Sequence, residues 1–233
     1  MKNVVITGIS GGLGRCLAKE YLSQGDYVFG FDIEERGILS YLEEEKENLS
    51  FELLDVGKDE SVEKGISSIA QKISRLDILV NCAGVLTENS GKVLEEFDIN
   101  GSCDVFNINA LGPLRMVKAV LPLLRKSEEA VILNISSEAG SLQTHAGYTY
   151  RYDYCMSKAA LNMQSIILQR YLEKDNIRVL TVHPGWMRTS MGGEEAPLLP
   201  DEVAVNIRKL VNHHQYDYHN MVFMDYNDEV RPW

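Results

Sequence analysis

The chain has 233 residues, 45% of them hydrophobic and 24% charged, and carries a net charge of −11. That length and balance suit one well-buried core and show no disordered or collagenous signature. The acidic balance argues against general affinity for nucleic acid or anionic membranes, while leaving room for a local basic spot that greets a phosphate.

Short β-branched runs alternate with helical segments along the whole chain. Asn3–Ile6 reads as the first strand and Leu13–Gln24 as an amphipathic helix after it. Tyr27–Asp32, Leu49–Val56 and Asp77–Asn81 read as the next three strands, with a helix over Glu60–Ser74 that carries Val62, Ile66, Ile69 and Ile73 at helical spacing. A long helix is expected at about Asp104–Arg125, a fifth strand at Ala130–Ser136, and a helix from Tyr154 to about Glu173. Arg178–His183, a helix at Asp201–Asn212 and a short strand at Met221–Asp225 complete the pattern. Continuous apolar strands separated by helices imply a parallel sheet covered on both faces. The expected fold is therefore α/β: one Rossmann-type doubly wound domain over residues 1–233 with about seven strands.

Cys16, Cys82, Cys103 and Cys155 are scattered without a C-x-x-C pair, and read as reduced, buried thiols. The first strand enters a glycine loop before a signal-peptide apolar region could develop, and no apolar run reaches the ~18 residues that span a bilayer. These features predict a cytoplasmic protein without a membrane partner. His213, His214 and His219 lack the cysteines or paired carboxylates of a metal site and read as a solvated helix end, so no metal is expected.

Between the first strand and helix stands Thr7-Gly8-Ile9-Ser10-Gly11-Gly12-Leu13-Gly14. Glycines there permit a tight turn and close approach of backbone to a pyrophosphate, which the helix N-terminus stabilises. Gly8, Ser10, Gly11, Gly12, Leu13 and Gly14 are accordingly cofactor-binding candidates. Asp32, eighteen residues after Gly14, can accept hydrogen bonds from a ribose diol and repel a 2′-phosphate. It favours NAD over NADP, with Arg36 nearby as the opposing signal. Ligands lie across the carboxyl ends of the strands in such sheets, which adds Asp55, Val56, Asn81, Ala83 and Gly84. Asn81 reads equally well as a bond between adjacent strands.

Tyr154 and Lys158 are four apart, on one face of a helix. An ammonium beside a phenol favours the phenolate and so lowers a pKa that is ordinarily near ~10. Of the eleven tyrosines only Tyr154 has lysine at the fourth following position.

With Asn109 before Gly112, Ser136-Ser137 with Gly140, and Pro184-Gly185 with Thr189 added, the chain resembles the short-chain dehydrogenase/reductases, and most closely their single-domain carbonyl reductases. The resemblance implies an oxidoreductase that interconverts an alcohol and a carbonyl on a nicotinamide cofactor. It implies Tyr154 as general acid/base, Lys158 as the group that depresses its pKa and bonds the nicotinamide ribose, and Ser137 as the donor to substrate oxygen, with Ser136 as fallback. It also implies Asn109 in a proton relay, Pro184, Gly185, Met187 and Thr189 over the cofactor, and a homodimer or homotetramer. The family spacing would place the tyrosine at Tyr150, so Leu142–Asp153 reads as a lengthened loop. Leu142, His145, Tyr148, Tyr150 and Arg151 there, with Trp186 and Met191 in a lid over about 186–200, are expected to border the substrate. A cofactor-binding signalling or scaffold protein is the alternative. A sugar-nucleotide epimerase is disfavoured because about fifty residues follow the sixth strand.

Overall fold

The computed structural model describes residues 1–144, 147–213, 217 and 223–233, and only the backbone of residues 45 and 46. The expectations placed on His145, His214, His219 and the first two residues of the last strand lie outside the described residues.

The sheet has eight strands in the order β3-β2-β1-β4-β5-β6-β7-β8. Six of them lie close to expectation: β1 Asn3–Thr7, β2 Tyr27–Asp32, β3 Leu49–Leu53, β4 Ile78–Asn81, β5 Val131–Ile135 and β6 Arg178–His183. β7, Phe223–Asp225, runs parallel to β6, and β8, Val230–Arg231, is an added antiparallel edge strand. β8 was not legible because two residues without alternation leave no periodic signal. The helices are α1 Gly12–Ser23, α2 Ile38–Tyr41, α3 Asp59–Ala70, α4 Ser102–Phe106, α5 Gly112–Leu124, α6 Tyr152–Leu172 and α7 Pro200–His213.

Strands β1, β4 and β5 carry continuous apolar runs, over residues 4–6, 78–80 and 131–133, because helices cover both faces of the sheet. Ile6, Val80, Leu133 and Leu180 pack with Leu13, Leu17, Ile207 and Leu210 on the α1 and α7 side. Val5, Leu79, Ile132 and Val179 pack with Val62, Ile66, Val120 and Leu168 on the other. The strand order reverses direction beside β1, so β1 and β4 diverge in their connections and open a crevice at their carboxyl ends.

The expected helix over Asp104–Arg125 is continuous, but a π turn at Asn107–Leu111 separates α4 from α5. Such a turn inserts one residue into the helix and re-aims the side chains it contains, here buried Asn109. α6 departs from simple amphipathicity. Its sheet-facing side carries Ser157, Lys158, Asn162, Ser165 and Gln169 among the apolar residues, and this polar stripe builds the site. No helix among the described residues is long and apolar enough to cross a membrane.

All four cysteines are free thiols. Cys103, expected to be buried, is exposed at the start of α4.

Candidate active site

The carboxyl ends of β1, β2, β4, β5 and β6 frame a cleft of about 370 Å³. Its floor is the glycine loop. Gly8 adopts φ 71°, and a Cβ there would lie 2.8 Å from Ala83 Cα. A Cβ at Gly14 would stand 2.1 Å from the Gly8 carbonyl oxygen, so the first turn of α1 rests directly on the loop. Ile9 seats its side chain over Gly30 of β2. The Thr7 hydroxyl accepts from the amides of Cys82 and Ala83 at 3.1 and 3.2 Å, locking the ends of β1 and β4 together. Gly11 precedes α1 without a side-chain cap. The first-turn amides of α1 are thus left for an anion.

Of the loop candidates, Gly8, Gly11, Gly12 and Leu13 line the cleft. Ser10 and Gly14 do not, and act as supports. The Ser10 amide donates to Asp32 Oδ2 at 3.0 Å, while its buried hydroxyl has no hydrogen-bond partner among the described residues. Asp32 also accepts from the Ile33 amide at 2.8 Å and lines the cleft beside Arg36. Asp55, Val56, Ala83 and Gly84 line it as expected. Asn81 belongs to the sheet instead. Its Nδ2 donates to Asn134 Oδ1 at 2.8 Å, and Asn134 donates to Ser165 on α6 at 2.9 Å. A side chain at the end of a strand points along only one face, and here that face is the α6 packing.

Tyr154 and Lys158 open into the same cleft. Lys158 Nζ donates to the Ile135 carbonyl at 2.9 Å and stands 5.8 Å from the Tyr154 ring centre. Burial pushes this ammonium down from 10.5 to about 8. The phenol departs from expectation. Burial raises its pKa above 10, with Tyr148 and Cys155 adding to the rise, while Ser137 and Arg151 pull it back.

The two serines separate by role. Ser136 Oγ donates to Asn162 Oδ1 at 2.5 Å and is buried in the β5–α6 seam. Ser137, in extended backbone, accepts from the Ala139 amide at 3.1 Å and pulls the phenol pKa down, whereas the cleft itself is lined by Ser136. Asn109 sits behind the cleft. Its amide group clasps both main-chain groups of Val85 at 2.8 and 2.9 Å and donates to Ser157 Oγ at 3.1 Å. Asn109 Oδ1 and Lys158 Nζ both stand close to Gly84 at the end of β4, within ordinary contact of where a Cβ would lie.

Above the cleft, Pro184, Met187, Thr189 and Met191 form its roof. Thr189 Cγ2 lies against Gly12, and its hydroxyl accepts from the Gly192 amide at 3.1 Å. Gly185, at φ 80°, only turns the chain, since its space is taken by Leu198 and Tyr226. Residues 186–198 bond to themselves, through Arg188 N to Leu198 O at 2.9 Å and Arg188 Nε to Ala196 O at 2.7 Å. Trp186 departs from expectation, its indole donating to Gly192 O at 2.7 Å away from the cleft. Leu142 and Tyr148 line a second cleft of about 390 Å³ on the flank of α6, with Tyr150, Tyr152, Cys155 and Met156. The first cleft is also lined by residues that were not singled out beforehand: Phe31, Ile33, Leu54, Cys82, Val85, Ile108, Ile135 and Ser190. All stand one or two positions from residues that were named, which is the signal that could have found them.

The donor set fits a dinucleotide: a glycine cradle that any Cβ would fill, an uncapped helix N-terminus above it, and a carboxylate at the end of β2. Fold and cleft together define a nucleotide-binding doubly wound α/β protein. A family model described as short chain dehydrogenase matches residues 2–198, and the chain belongs to that family of oxidoreductases. It is 37% identical to the C-signal protein of Myxococcus xanthus over 163 residues, which are 68% of this chain and 93% of that one. The NADPH-bound carbonyl reductase from chicken fatty liver superposes with a TM-score of 0.91 at 26% identity, over 100% of this chain and 99% of that one. The carbonyl reductase Sniffer of D. melanogaster superposes with a TM-score of 0.91 at 27% identity, over 100% of both chains. Several longer relatives are matched over only 50% or 60% of their length.

Proposed function

We propose that this protein interconverts a small-molecule alcohol and a carbonyl by hydride transfer, with NAD as its preferred cofactor. The observation that carries this is the Tyr154 phenol with buried Lys158 beside it, 5.8 Å from its ring centre, in a cleft floored by the glycine loop. A bound nicotinamide dinucleotide supplies or accepts the hydride. The loop amides and Thr189 hold its phosphates and carboxamide end, while Asp32 and Asp55 meet its sugar and base. Ser137 donates to the carbonyl oxygen as negative charge grows there. Tyr154 delivers the proton to that oxygen in reduction and removes it in oxidation. Its raised pKa keeps the phenol protonated at neutral pH, the form that reduction needs. Lys158, with a pKa of about 8, replenishes that proton, and Asn109 behind it, held by Val85 and Ser157, positions the water that links the lysine to solvent. Met187 and Met191 make the roof apolar, and residues 186–200 serve as the substrate lid.

The NAD preference rests on the Asp32 carboxylate, against Arg36 in the same cleft, the group that favours NADP. An exposed stripe of Met156, Met163, Ile167 and Tyr171 along α6 supports assembly as a homodimer or homotetramer. Reduction of aldehydes, diketones and quinones by NADH and NADPH tests the proposal. Tyr154→Phe is expected to lower kcat by roughly 1,000-fold or more while leaving cofactor affinity unchanged. Cofactor binding without turnover in the unaltered protein, and no difference from the Phe variant, would overturn it. The similarity to C-signal favours one second reading, a cofactor-bound signalling protein with little turnover, and that outcome is its signature.

A further inference from the structure

His183 is the last residue of β6 and lies just ahead of the Pro184-Gly185 turn. Its imidazole is nearly buried. Nδ1 accepts from the main-chain amide of Glu138 at 3.2 Å. Nε2 stands 3.9 Å from the Glu138 carboxylate. An Nδ1 that accepts carries no proton, so the ring is neutral with its hydrogen on Nε2, facing Glu138. Asp225 of β7 lies level with His183 across the strand pair. Its carboxylate is held by Arg231 of β8 at 2.6 and 3.1 Å and by the amides of Asn227 and Glu229.

The amide that His183 holds belongs to the residue after Ser137. That short turn is fixed from two other sides. Gly140 packs so closely on the Lys158 backbone that a Cβ would fall 2.6 Å from Lys158 C, and the Ser137 carbonyl accepts from the Gly140 amide at 2.9 Å. The Ser136 amide donates to Val182 O of β6 at 2.8 Å just ahead of the turn, and His183 ties the turn itself sideways to the same strand.

We infer that His183 is a positioning residue: its neutral Nδ1 holds the Glu138 amide and thereby keeps the Ser137 hydroxyl aimed at Tyr154 and the substrate oxygen. The inference rests on the reading of Ser137 and Tyr154 given above. A proton on Nδ1 replaces the acceptor with a donor aimed at another donor, so the turn lets go at acid pH. The charged groups facing the ring are Glu138, Asp225 and Arg231, with Glu229 beyond Arg231. Burial and Arg231 act together to hold the ring below its ordinary 6.5, against Glu138 and Asp225. The release therefore falls on the acid side of neutrality.

His183→Asn and His183→Leu test this. Asparagine sets a non-titrating oxygen where Nδ1 stands, and leucine offers no acceptor. The leucine variant is expected to lose about 10- to 100-fold in kcat, with cofactor affinity unchanged. The unaltered protein is expected to lose kcat below neutral pH, and the asparagine variant to retain most of kcat without that fall. Equal losses in both variants, or an acid limb that survives in the asparagine variant, would overturn the inference. Two NMR readings do not depend on turnover. The imidazole nitrogens are expected to report the Nε2–H tautomer, and Glu138 amide exchange is expected to quicken in the leucine variant. An Nδ1–H tautomer or unchanged exchange sinks the inference. Both signals present in a protein that turns nothing over would instead sink the functional reading and leave the link intact.

Discussion

Lys158→Met separates the cost of the buried cation from its use. The Lys158 ammonium is 5% exposed, donates to the Ile135 carbonyl at 2.9 Å, and has the weakly acidic Cys82 thiol rather than a carboxylate near it. Its pKa drops from 10.5 to about 8 on folding, equivalent to about 3 kcal/mol against the charged form. The sign follows from proton counts. Between pH 8 and 10.5 the unfolded chain still holds the lysine proton that the folded chain has released, so this contribution to stability grows as pH rises through that window and is lost as pH falls through 8. Urea unfolding of both proteins across the window is the assay, since shared titrations cancel in the difference. The stability of the unaltered protein relative to the methionine variant is expected to rise by about 3 kcal/mol. At neutral pH the variant gains from removal of the buried charge, offset by about 1–3 kcal/mol for an Ile135 carbonyl left without its donor, and it loses turnover. A difference that stays flat through the window would refute the assignment of Lys158 as an uncompensated buried cation.

Two further changes probe the cofactor cradle. Gly14→Ala drives a methyl into the Gly8 carbonyl at 2.1 Å, so isothermal titration is expected to show a loss of cofactor affinity of at least 100-fold, about 3 kcal/mol, with the substrate-side residues intact. Asp32→Ser removes the carboxylate that excludes a 2′-phosphate while Arg36 remains, and is expected to move the ratio of kcat/KM for NADPH over NADH upward by at least 10-fold. An unchanged ratio would remove Asp32 from cofactor selection.

Much of this molecule is written in local pattern. Strands β2 and β6 are bounded as their β-branched runs predict, and the parallel arrangement follows from strands that are apolar on both faces. The glycine loop was legible because a Cβ at Gly8 would meet the Ala83 backbone and one at Gly14 the Gly8 carbonyl, leaving room only for glycine. The Tyr154–Lys158 spacing survives because both residues sit on one helix, where sequence distance sets spatial distance. Other features depend on what a distant segment places opposite. Whether Asn81 faces cofactor or sheet was decided by Asn134 and Ser165, which come from two other elements. The two serines are likewise separated by a distant residue, since Asn162 on α6 takes the Ser136 hydroxyl. The π turn that aims Asn109, the outward rotation of Trp186 and the separate cleft beside Leu142 and Tyr148 have no local signature either. The phenol pKa is the sharpest case. Four residues along a helix predict a lysine that lowers it, but burial is a property of the assembled sheet, and desolvation wins there. Spacing within one element settled which groups could meet, and packing between elements settled what each group does once it is there.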